Sequence, residues 1–105
     1  MTFQIEYNEC QIITLDSWFE NIGVGSTLIN AVKREALLAD CSRLWLIKTN
    51  DNLRALKFYQ KRGFQLVAVY PNALTESRRL KPSIPQIGMH GIPLRDEIEL
   101  QIFLD

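Results

Sequence analysis

The stretch TNDNLRALKFYQKRGF, residues 49–64, reads as a helix with both ends marked. Asn50 or Asp51 can cap it, because a short polar side chain there accepts one of the backbone N–H groups that a first turn leaves unpaired. Gly63 ends it just beyond Arg62, as the residue that turns left-handed without a Cβ penalty. On its N-terminal side, RLWLIKT (43–49) is a continuous apolar run of strand length. Such a run is the pattern of a strand covered on both faces and paired parallel to a neighbour. On the other side, FQLVAVY (64–70) is a further strand, closed by Pro71.

Toward the N-terminus, TFQIEY (2–7) alternates Phe3, Ile5 and Tyr7 with polar residues, and CQIITLDSW (10–18) reads as a second strand after the polar pair Asn8-Glu9. The two form a hairpin. From Ser26 to Ala39, Leu28, Ile29, Val32, Ala36 and Ala39 recur on one helical face, with Lys33, Arg34 and Glu35 directed mostly away. Toward the C-terminus, NALTESRRLK (72–81) is a short helix stopped by Pro82. PSIPQIGMHGIP (82–93) is a loop, and EIELQIFL (97–104) a last strand. The order ββαβαβ(α)β specifies an α/β (α+β) mixed sheet, with a parallel strand-helix-strand unit across residues 10–49.

Between the second strand and the first helix lies ENIGVGS (20–26). A helix N-terminus presents unpaired N–H groups and the positive end of the helix dipole, and glycines before it admit an anion without a Cβ in the way. Gly23 and Gly25 meet that requirement. The P-loop is excluded because Ser26-Thr27 follows Gly25 in place of Lys-Ser/Thr, and the dinucleotide fingerprint because Leu28 stands where a third small residue is needed. A plain strand-to-helix bend satisfies the same residues.

Composition bounds the rest. With 105 residues, 47% hydrophobic and 23% charged, the chain is expected to be one domain burying about two-thirds of its unfolded surface. Twelve basic and twelve acidic side chains cancel, so no global field draws it to nucleic acid or to an anionic membrane. MTFQIEYNE has neither a basic n-region nor an apolar h-region, and no apolar run is long enough to span a bilayer, which makes the cytoplasm the expected compartment. Cys10 and Cys41 lie too far apart for a metal or redox motif and read as core thiols; no metal site is expected.

Asn52, Ala55, Phe58, Tyr59, Gly63 and Phe64 resemble the Asn-x-x-Ala-x-x-Phe-Tyr-x-x-x-Gly-Phe signature of the GNAT superfamily of N-acetyltransferases. ENIGVGS resembles that family's acetyl-CoA loop, Arg/Gln-x-x-Gly-x-Gly/Ala, with Glu20 in place of Arg or Gln. RRLKPSIPQIGMHGIPLRDEIEL (78–100) is similar to the C-terminal segment of one bacterial subgroup. The resemblance begins near the family's third strand, so residues 1–105 read as a single truncated GNAT-like domain.

The resemblance implies an acetyl-CoA-dependent N-acetyltransferase acting on a primary amine, with acetyl-CoA as cosubstrate. The strands flanking the glycine loop and its helix would splay apart to admit the pantetheine arm. Ile13, Thr14 and Leu15 would offer it backbone groups, while Ile22, Gly23, Val24, Gly25 and Ser26 would cradle the pyrophosphate. Asn52 would contact the cofactor arm, and Tyr59 would protonate the departing thiolate. A core aromatic is the alternative for Tyr59. Glu9 and Asp16 are weak candidates for a base, His90 reads as a loop residue, and Arg78, Arg79 and Lys81 as a solvated cluster. The truncation implies a homodimer covering the open first strand. The alternative function is a non-catalytic acyl-CoA-binding or structural remnant, or half of a split acetyltransferase.

Overall fold

The computed structural model describes residues 2–6, 8–14 and 25–104. Among these residues the elements run β1 (Thr2–Glu6), β2 (Glu9–Thr14), α1 (Gly25–Leu38), β3 (Arg43–Thr49), α2 (Leu53–Lys61), β4 (Gln65–Tyr70), α3 (Ala73–Leu80) and β5 (Glu97–Phe103), with a 3₁₀ turn at Met89–Gly91. The strands form one mixed sheet in the order β1-β2-β3-β5-β4. The α/β class and the element order are those the sequence specifies. The second strand is described only to Thr14, and the 15–18 part of the expected strand lies outside the described residues.

β2 and β3 are parallel, as expected for strands joined through a helix, and the other neighbours are antiparallel. One face of the sheet carries Cys10, Ile12, Leu44, Leu46 and Leu100, which pack with Ile29, Val32 and Ala36 of α1 and Ala55, Phe58 and Tyr59 of α2 in one buried cluster. Removing those side chains from water is the main stabilising term. Burial pushes the Cys10 thiol up to about 11 and also raises that of Cys41, so both free cysteines are core thiols.

RLWLIKT is not covered on both faces. Leu44 and Leu46 are buried, but Arg43, Trp45 and Ile47 are half-buried on the face turned from the helices. That face is polar by construction. Arg43 donates to Gln101 Oε1 (2.5 Å), Glu9 Oε1 (3.3 Å) and Glu99, and its guanidinium carbon stands 5.2 Å from the Trp45 ring centroid. Tyr70 donates its hydroxyl to Glu99 Oε1 at 2.5 Å, which raises the phenol above its ordinary range. Charge-assisted bonds of this kind tie four strands together across a surface with little apolar area to bury.

The helix ends follow from local chemistry. At the end of α2, Gly63 is left-handed (φ +96°), Gly63 N–H donates to Gln60 O and Phe64 N–H to Tyr59 O. This is a Schellman cap, and its usual apolar contact is Phe64 against Tyr59, with ring centroids 5.3 Å apart. α1 ends in the same way with Asp40 left-handed, Asp40 N–H bonded to Leu37 O and Cys41 N–H to Ala36 O. Ala39, expected on the buried face of α1, is exposed because it belongs to this cap.

Candidate functional site

The parallel ladder between β2 and β3 is short. Glu9, Cys10 and Gln11 pair with Arg43, Leu44 and Trp45, and the pairing then stops although β2 continues to Thr14 and β3 to Thr49. Each strand keeps its other partner: β2 pairs with β1 through Thr14, and β3 with β5 through Thr49. Two strands held from their outer sides are thus unpaired with each other beyond Gln11 and Trp45, which leaves a gap in the ladder between Ile12–Thr14 and Leu46–Lys48.

The candidate residues fall on the elements that flank this opening in the chain order. Ile13 and Thr14 are on the diverging part of β2. Gly25 and Ser26 open α1, whose first four N–H groups have no partner within the helix. Leu15, Ile22, Gly23 and Val24, with Asp16 and Glu20, lie outside the described residues. Asn52 and Tyr59 sit about two turns apart on α2, on the same side of the helix.

Asn52, rather than Asn50 or Asp51, caps α2: its Oδ1 accepts from Ala55 N at 3.1 Å. Its NH₂ group is not part of the cap. Asn50 and Asp51 face the other way and hold the segment before β5. Asn50 donates Nδ2 to Pro93 O (2.9 Å) and accepts from Arg95 N (3.1 Å) and Asp96 N (3.0 Å). All three choices satisfy the same sequence rule, so only long-range contacts separate them.

Tyr59 is wholly buried, edge-on to Phe58 at 5.0 Å and to Phe64 at 5.3 Å, and its hydroxyl oxygen is shielded from solvent. Lys48 Nζ lies 5.6 Å from the centroid of its ring. Lys48 is a residue the sequence reading passed over. Register puts it on the helix-facing side of β3 beside the gap, and the signal was a cation ending an otherwise apolar strand.

Other candidates are displaced. Glu9 begins β2, about 16 Å along the strand from Thr14, and pairs with Arg43. Arg78 is half-buried rather than free on the helix face: it donates to the carbonyls of Ile84 (3.3 Å), Pro85 (2.7 Å) and Leu94. Arg79 pairs with Glu76 at 3.5 Å on an exposed face. Among the described residues, no group of three or more His, Cys, Asp or Glu is placed to hold a metal, and no helix is long and apolar enough to cross a membrane.

Residues 3–64 match the Acetyltransferase (GNAT) family. The chain belongs to that family. It is 49% identical over all 105 residues to the uncharacterized protein YdhI of Bacillus subtilis (strain 168), and spans 66% of that protein's length. Its fold is that of an IAA acetyltransferase from Bacillus cereus ATCC 14579, with a TM-score of 0.79 and 21% identity over 96% of this chain and 65% of that one. A GNAT family acetyltransferase from Elizabethkingia anophelis with acetyl-CoA bound superposes with a TM-score of 0.78 and 24% identity, over 94% of this chain and 63% of that one.

A small cleft of about 210 Å³ beside this end of the sheet is lined by Asn50, Pro93, Arg95 and Asp96. The Asp96 carboxylate accepts from Arg95 Nε (2.7 Å) and Asn72 N (2.9 Å), which lowers its pKa. A folded pKa below the unfolded one contributes stability above about pH 4 that is lost as pH falls through the folded value. Urea denaturation across the acid range should therefore show a shallower fall in stability for Asp96→Asn than for the parent, and equal slopes would remove Asp96 from the acid response.

Proposed function

We propose that the chain acts as an acetyl-CoA-dependent N-acetyltransferase domain, transferring an acetyl group to a primary amine. The early end of the β2–β3 ladder carries this reading, because it leaves strand backbone free to bond the amides of an extended arm. Two further features support it: the N-terminus of α1 beside the gap, suited to a pyrophosphate, and the acetyl-CoA bound to the E. anophelis relative.

In this reading Ile13, Thr14 and Leu15 bond the pantetheine amides, and residues Ile22 to Ser26 hold the phosphates through backbone N–H groups. The NH₂ of Asn52 donates to the arm while its oxygen caps α2. The acceptor nitrogen attacks the thioester carbonyl, the tetrahedral centre collapses with cleavage of the C–S bond, and the amine proton passes to solvent. Tyr59 gives its phenolic proton to the departing thiolate and recovers one from water. The full burial of Tyr59 favours the second reading, a CoA-binding domain without turnover in which the ring is core alone. We include a two-fold homodimer formed along β1, an edge strand on which Ile5 is 46% exposed.

Calorimetry tests the binding. Acetyl-CoA and CoA should both bind, and Gly25→Val should weaken binding by about 2 kcal/mol or more, roughly thirtyfold; no heat at about 1 mM ligand removes the reading. Tyr59→Phe separates chemistry from packing. Turnover falling about a hundredfold with CoA affinity and Tm unchanged assigns the proton to Tyr59, whereas lost stability with proportionate activity leaves the ring structural. Light scattering at tens of micromolar protein should give a dimer that Ile5→Lys dissociates, and a monomeric parent ends the dimer proposal.

A further inference from the structure

The chain between α3 and β5 is bound down by side chains that acetyl transfer does not require. Arg78 holds the carbonyls of Ile84, Pro85 and Leu94, and Asn50 holds Pro93, Arg95 and Asp96. Residues 86–94 close on themselves as a strap: Leu94 N bonds Gln86 O at 2.9 Å, Gly88 N bonds Ile92 O at 2.8 Å, and Ile92 N bonds Met89 O at 3.1 Å. Because β5 runs antiparallel to β3 with Glu97 opposite Thr49, the strap lies at the sheet end where β3 passes into Asn52. The family match covers residues 3–64 and ends before the strap.

One buried carboxylate joins this strap to the start of α2. Asp51 is 3% exposed; its Oδ1 accepts from Thr49 Oγ1 at 2.5 Å and its Oδ2 from Met89 N at 2.8 Å. Its own carbonyl accepts from Leu53 N at 2.9 Å, so its backbone makes the tight turn that leads into α2, directly before the cap Asn52. Gly88 has ordinary extended backbone (φ −101°), so its conformation does not demand glycine. Space does: a Cβ at Gly88 would stand 2.2 Å from Asp51 Oδ2. A carboxylate taken out of water against neutral donors is costly to bury, and packing alone is served as well by an apolar residue.

We propose that Asp51 is a positioning residue that couples the strap to the cofactor end of α2. Contacts made by the CoA arm at Asn52 pass through the Asp51 carboxylate to Met89, so that CoA binding fixes the strap. This rests on the CoA-binding reading above. The occupied and empty states differ at one hydrogen bond from a carboxylate to a backbone N–H, and that bond is the element whose population the cofactor shifts.

Hydrogen exchange on the parent, with and without CoA, tests the coupling alongside Asp51→Asn and Gly88→Ala. In the parent, CoA should slow exchange at the Met89 amide and its strap neighbours about fivefold or more. Asp51→Asn keeps the size of the side chain but cannot accept at both atoms. Gly88→Ala displaces the strap without altering α2. Both should still bind CoA in calorimetry while their strap exchange no longer responds to it. Strap protection that responds to CoA equally in all three proteins overturns the proposal, as does exchange in the parent that CoA leaves unchanged although calorimetry shows it bound. Absence of CoA binding by the parent instead defeats the binding reading itself, and the coupling with it.

Discussion

β3 is held to β5 along its whole length, from Arg43 opposite Phe103 to Thr49 opposite Glu97. The rest of the structure depends on that ladder. It buries Leu44, Leu46 and Leu100 on one side of the sheet and brings Glu99 and Gln101 to Arg43 on the other. It also holds β3 to its end, while β2, anchored outward by β1, stops pairing with it after Gln11. A sheet normally closes such gaps because unpaired strand backbone is costly away from water. Here both strands are fixed from outside, and the opening is a property of the pairing rather than of any single residue at its rim.

The two faces of the sheet are stabilised by different physics. The helix side is mainly apolar, and it takes Tyr59 with Phe58 and Phe64 meeting its ring edge-on. The other side carries a row of polar groups running from Glu9 through Arg43 and Glu99 to Tyr70. On that face specificity comes from geometry more than from area. A guanidinium that must satisfy three acceptors at once fixes the register of β2, β3 and β5 together.

Much of this was legible in the sequence. The strand over 43–49 and the left-handed turn at Gly63 follow from local rules, and the paired signatures around Gly25 and Tyr59 carried the family. What local rules missed was non-local. RLWLIKT reads as doubly covered because Trp45 and Ile47 are apolar, yet their neighbours across the sheet are Gln101 and Glu99. Asn50, Asp51 and Asn52 are equivalent caps by residue type, and only the return of residues 88–96 to that corner assigns two of them to the strap. Arg78 looked solvated because the carbonyls it binds come from a proline-rich segment with no periodicity to place it.

The two core thiols give the molecule an internal clock. With its thiol pushed up to about 11, Cys10 holds only about one thiolate in ten thousand at neutral pH. Cys10 is fully buried while α1 lies on the sheet, and Cys41 nearly so. Alkylation must therefore wait for that helix to lift, and its rate reports how often the layer between β2 and α1 opens. Reagents that stain surface cysteines at once will count openings here, from a signal native to the chain.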